Sequence, residues 1–177
     1  MNLKFYLILI NIIFGPLLLF TYYKGVYSGI DGTQLWGGMP QLLRPISGIS
    51  MIISAIGYFF FTSNLLTKVS LDYQFLNRFN FWWIILLYSL VLIPSCFWIN
   101  LTIEYMNSGM SNSMLWIMIC LVLYTVGIAS LLLLITLIKI PTEKLDFLYI
   151  SSIVGCTFFT IHTLLFDGLL WTYFFNK

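Results

Sequence analysis

Five stretches of the chain, 5–23, 46–66, 81–99, 114–138 and 147–171, run on as apolar residues with scarcely a charge among them. A soluble domain needs a polar face on most of its helices, and five all-apolar ones leave no element to supply it. Each stretch can cross a hydrocarbon core of about 30 Å at about 1.5 Å per helical residue. Lipid cannot satisfy free backbone groups, so a spanning segment is a helix or part of a closed barrel. Barrel strands alternate with a period of two, and runs such as SLLLLITLIKI show no alternation. The expectation is an all-α polytopic membrane helix bundle, with five transmembrane helices forming a single domain over 1–177.

The bulk numbers agree with this and remove other classes. Charged residues make up 8% of the chain, against about a quarter in soluble domains, which excludes a soluble enzyme and a disordered chain. Net charge is +2 and the Lys and Arg residues are scattered, so neither nucleic acid nor a polybasic lipid contact is indicated. Cys96, Cys120 and Cys156 lie in apolar stretches without a C-x-x-C pattern. One histidine, His162, rules out a haem held by two His or a zinc site built on several. No cofactor and no metal are therefore indicated. The partners expected are the lipid bilayer and, within it, an apolar small molecule or another membrane protein.

Aromatic rings mark the expected water boundaries: Tyr22 and Tyr23, Trp82 and Trp83, Trp98, Trp116, Trp171 and Tyr173 all fall at span ends. The first span is expected to be retained rather than cleaved, being long, aromatic and followed by LFTYYKG instead of small residues. Lys4, Lys68, Arg78, Lys139 and Lys144 fall on one side, and Lys24, Arg44 and Lys177 on the other. Five against three puts the amino terminus in the cytoplasm. A glycosylation sequon, Asn100-Leu101-Thr102, falls on the opposite side and is consistent with this.

The 24–45 connection carries five Gly and two Pro among Tyr27, Trp36, Met39 and Leu42. It is too apolar to float free and too rich in Gly for a regular helix. An interfacial connector is expected, with a cap over the bundle mouth as the alternative.

The fifth span carries the polar groups. At about 100° per residue, Ser152, Cys156, Thr160, Thr163, Asp167 and Trp171 share one stripe, which should face other helices. The same spacing puts His162 about 140° from Asp167, which argues against a dyad on one face. Asp167 and His162 are the two ionisable side chains inside or bordering a span, and such groups are functional candidates by their cost. The alternatives are a buried interhelix hydrogen bond for His162, and a helix end at Phe166-Asp167-Gly168 with the rest lying along the surface. Asn11 stands beside Gly15-Pro16, where a missing N–H frees the Ile12 carbonyl; Pro94 similarly frees that of Leu90, with Ser95 near enough to compensate. On the second span Ser47, Ser50, Ser54 and Gly57 share a face suited to close packing. The candidate functional or ligand-facing residues are Asp167, His162, Thr163, Thr160, Asn11 and Trp171.

Three functions fit. The first is binding of an apolar ligand or partner helices in the bilayer. The second is an intramembrane enzyme using Asp167 or His162 as acid or base, with Asn11, Glu104 or Tyr124 as weak further partners. The third is a small transporter or channel, disfavoured by the scarcity of polar span residues.

Overall fold

The computed structural model describes residues 3–27, 29, 31–141 and 146–177. It is all-helical: α1 (Leu3–Val26), α2 (Leu43–Thr67), α3 (Trp82–Asn107), α4 (Ser113–Ile138) and α5 (Phe147–Thr160). α5 continues without a break as a π-helix, Ile161–Trp171, and then as α6, Thr172–Phe175. Counted with that continuation there are five helices long and apolar enough to cross a membrane. Their outward residues are large and apolar, among them Ile12, Leu19, Phe59 and Leu121, each more than half exposed. Lys144 lies outside the described residues, as do Ser28 and Ile30 of the 24–45 connection.

Among the described residues two helices start on side-chain caps. Asn112 accepts from the Met114 and Leu115 N–H groups, and Asp146 accepts from that of Tyr149, each satisfying donors that a first turn leaves open. α3 runs eight residues beyond the expected span, so Asn100 sits on a helix and not in a loop. The sequon and Glu104 suggested water there. Instead Thr102 and Tyr105 of the same turns are buried against protein, and the loop shrinks to 108–112.

The helices pack in the order α1, α3, α4, α5, α2, each against the next. Hydrophobic burial does not drive such packing in lipid, so fit and interhelix hydrogen bonds must hold it. α2 and α5 come closest. A Cβ built on Gly57 would stand 2.6 Å from Gly155 Cα, so the two backbones touch there. The Ser54 hydroxyl donates to the Phe158 carbonyl beside this crossing. Ser47, Ser50 and Ser54 are all buried, as their shared face implied.

A hydrogen bond ties α1 to α2: the Tyr58 hydroxyl donates to Asn11 Oδ1 at 2.6 Å, and Asn11 Nδ2 donates to the Leu7 carbonyl. Beyond that tie α1 leans on α3. The Cys96 thiol donates to the Phe14 carbonyl, the Tyr22 ring meets Trp98, and Gly25 admits Ile99. At the Pro94 kink the Ser95 hydroxyl donates to the Val91 carbonyl and not to that of Leu90.

The two ends differ. At one, Tyr6 packs on Trp82, the Tyr73 hydroxyl donates to the Lys139 carbonyl, and Lys68 pairs with Asp146 at 3.0 Å. At the other, the described part of the 24–45 connection folds as a cap. Gly38 N–H donates to the Phe174 carbonyl, Trp171 Nε1 to the Leu35 carbonyl, and Arg44 to the Met39 carbonyl. Gly37, with φ +53°, sits so close to Phe175 that a Cβ would collide with its backbone. Met39, Tyr105, Ile119, Leu123, Trp171 and Phe175 make a buried cluster under this cap. The expected interfacial connector is thus a docked cap over its 34–42 part.

Candidate functional site

The fifth helix keeps its polar stripe inside. Ser152, Cys156, Thr160, Thr163 and Trp171 are all buried. Thr160 and Thr163 face α4: the Thr160 hydroxyl donates to the Ser130 carbonyl, and the Ser130 and Thr163 hydroxyls are 2.7 Å apart. Thr163 also donates to Phe159 O, one turn back. These two residues knit α4 to the fifth helix, and their hydroxyls are spent on protein. Asn11 is likewise spent, on Tyr58 and Leu7.

His162 and Asp167 correct the spacing argument. Nε2 of His162 lies 3.5 Å from Oδ2 of Asp167. The α-helical count had put them on different faces, but they lie in the π-helix Ile161–Trp171. Its i→i+5 hydrogen bonds bring residues four and five apart onto one face. Thr163, His162, Asp167 and Trp171 therefore share a face, and Asp167 lies at its centre. The helix does not end at Gly168 and does not turn along the surface; it continues to Phe175. Nothing in the sequence announces the π register, since neither Pro nor a Gly pair lies within it.

Two other elements complete the surroundings. Tyr22 of α1 lies within electrostatic range of both Asp167 and Cys96 of α3. Trp98 of α3 packs its ring between Tyr22, 5.7 Å away, and Trp171, 5.6 Å away. Tyr124 of α4 approaches Gly168, the residue after Asp167. Neither Tyr22 nor Trp98 was singled out from the sequence for anything but a place at a span end. That Tyr22 stands near Asp167, and Trp98 between Tyr22 and Trp171, depends on how α1, α3 and the π segment pack.

Burial divides this group unevenly. His162 is buried, with 11% of its side chain exposed, whereas Asp167 leaves 32% of its side chain open although its neighbours on that face are buried. Among the described residues two buried side-chain nitrogens have no hydrogen-bond partner, Trp98 Nε1 and His162 Nδ1. Each such orphan costs about 1–3 kcal/mol. A lone charge at this depth is costly, whereas a His–Asp pair holding one proton between its partners is neutral as a whole.

A separate open groove of about 520 Å³ lies at the start of α3, lined by Phe79, Asn80, Trp82, Trp83, Ile85, Leu86 and Ser89. None of the sequence candidates lines it. Among the described residues no group of three His, Cys, Asp or Glu could hold a metal ion. Comparison of the chain with protein-family models, with curated proteins and with solved structures gives no match.

Proposed function

We propose that the chain is a multi-pass integral membrane protein, amino terminus in the cytoplasm, that binds an apolar ligand within the bilayer beside the partly open carboxyl of Asp167. The observation that carries this reading is the open carboxyl on an otherwise buried helix face. Tyr22 of α1 lies within electrostatic range of that carboxyl, and its ring meets Trp98 of α3, which packs on Trp171. A second reading, an intramembrane enzyme with His162 and Asp167 moving a proton, draws on their 3.5 Å contact.

Cysteine labelling tests whether a small apolar molecule reaches Asp167. In a chain whose Cys96, Cys120 and Cys156 are replaced by Ala, Asp167→Cys should react with an apolar maleimide delivered through the bilayer. Thr163→Cys, buried against Ser130, should stay unreactive. Equal and negligible labelling of both would refute the reading. Labelling of Lys4→Cys and Lys177→Cys from opposite sides of sealed vesicles checks the orientation.

A further inference from the structure

We propose that the open groove at the start of α3 holds a phospholipid of net negative charge, with one acyl chain along the helix and the phosphate at the Arg78 end. The site is separate from Asp167, since neither that residue nor its neighbours line the groove. Its volume, about 520 Å³, falls within the range of small-molecule sites, about 300–1,000 Å³. Both neighbouring helices fix its walls. Trp82 packs on Tyr6 of α1, ring centres 5.4 Å apart. Trp83 stacks on Phe79 at 4.6 Å and donates its indole N–H to the Thr136 hydroxyl of α4. Such walls are in place before a ligand arrives, so binding does not have to order them. Leu86 and Ser89 lie one and two turns further along the same face of α3. From Trp82 to Ser89 the groove follows the helix for about 10 Å, within the depth of one leaflet, about 15 Å of a core about 30 Å thick. A single chain entering from one leaflet has that geometry.

The polar groups at the α3 start are donors. Asn80 Oδ1 takes the Trp82 backbone N–H, and among the described residues neither Asn80 Nδ2 nor the Trp82 indole N–H has an acceptor. The Arg78 guanidinium stands 5.8 Å from the centre of the Phe79 ring, which lines the groove. Arg78 is exposed, and among the described residues it forms no ion pair. Donors beside one positive charge suit an anion that only accepts, and a phosphate with its neighbouring ester carbonyls is one. A choline or ethanolamine head adds a cation that Arg78 repels, so a head group without one is favoured. Ser89 spends its hydroxyl on the Ile85 carbonyl, which leaves the far end of the groove apolar for the chain.

The probes are phosphatidylglycerol and phosphatidylcholine with identical bromine-tagged chains, each diluted into unlabelled phosphatidylcholine nanodiscs that hold the full chain. Trp82 and Trp83 line the groove, so a chain seated there quenches their fluorescence. Boundary lipid quenches in proportion to its share of the bilayer, whereas a site fills early and saturates. The phosphatidylglycerol should half-saturate at a share about fivefold lower than the phosphatidylcholine, the factor that about 1 kcal/mol for one Arg near an anionic head group makes. Arg78→Gln should bring the two lipids level. Asn80→Asp keeps the acceptor for the Trp82 N–H but exchanges the amide donor for a negative charge, and should turn the preference towards the phosphatidylcholine. Ser89→Leu fills the far end and should remove the saturating part for both lipids. Quenching in proportion to share for both lipids in the parent chain, the result expected of boundary lipid or of a groove covered by another protein, overturns the site. A phosphatidylglycerol preference that survives both Arg78→Gln and Asn80→Asp overturns the placement of the phosphate.

Discussion

Gly57→Ala should unfasten α2 from α5, and the structure gives the size of the effect. The new carbon would lie 2.6 Å from Gly155 Cα, 2.6 Å from its carbonyl oxygen and 2.8 Å from its carbonyl carbon. All three are backbone atoms, so no side chain can swing aside. An ordinary contact begins at 3.4 Å, so the helices must part by about 0.8 Å. Overpacking of this kind costs about 1–3 kcal/mol. The parting also stretches the 3.0 Å bond from Ser54 to the Phe158 carbonyl, whose loss adds about 1 kcal/mol. Helix propensity returns up to about 1 kcal/mol, since Ala outranks Gly. The net is a loss of about 1–3 kcal/mol, read as a lower melting temperature in detergent. Gly48→Ala on the same helix is the control: nothing lies within 4 Å of its added carbon, so propensity alone acts and stability should hold or rise. Equal melting temperatures for the two variants would show that the backbones do not meet at Gly57.

Ser130→Ala and Thr163→Val should each destabilise, and the double variant should lose less than their sum, with a coupling of about 1 kcal/mol for the 2.7 Å hydroxyl pair; strict additivity in a thermal double-mutant cycle would break that pairing. Trp171→Phe removes the donor to the Leu35 carbonyl at a cost of about 1 kcal/mol. Hydrogen exchange should then speed up over 34–39 while α2 stays protected, and unchanged exchange there would mean that the cap is held by other contacts. The Tyr149 N–H, and after it Lys68, hold the Asp146 carboxyl below its ordinary range. Its proton therefore binds less readily in the folded chain, so its stabilising effect is complete above the unfolded value of about 3.9 and fades as pH falls through the lower folded value. Melting temperature followed from about pH 6 to about pH 3 should fall less steeply in Asp146→Asn, and identical slopes would refute the assignment.

The five helices were legible because lipid imposes a simple rule on composition, and hydropathy reads composition well. Their ends were less so. Asn100, Thr102 and Glu104 look like the start of water, yet α3 continues through them because Tyr105 and Thr102 pack against protein there. A polar residue facing a neighbouring helix and one facing water are alike in sequence. The stripe of Ser152, Cys156, Thr160 and Thr163 was legible down to its facing direction, since most of it lies on regular α-helix. His162 and Asp167 were misplaced relative to each other for the converse reason: an α-helical angle was applied across a segment with another period. Tyr22 and Trp98 come from distant helices, and only packing order brings Tyr22 near Asp167 and Trp98 onto Tyr22.

The π register also decides what a change of chain length does. Deleting one residue from the middle of α4 turns everything beyond it by about 100° and draws it in by about 1.5 Å, which would swing Ser130 away from Thr163 or leave it in place with α4's far half misaligned. The π segment carries surplus residues in its turns, so a deletion within 161–171 can be absorbed as one wide turn tightens to an α turn. Thr160 on one flank and Phe175 on the other would keep their seats against Ser130 and Gly37. The fifth helix thus works as a length buffer between a fixed interhelix seam and a fixed cap. The slack is taken from the very turn that holds His162 against Asp167.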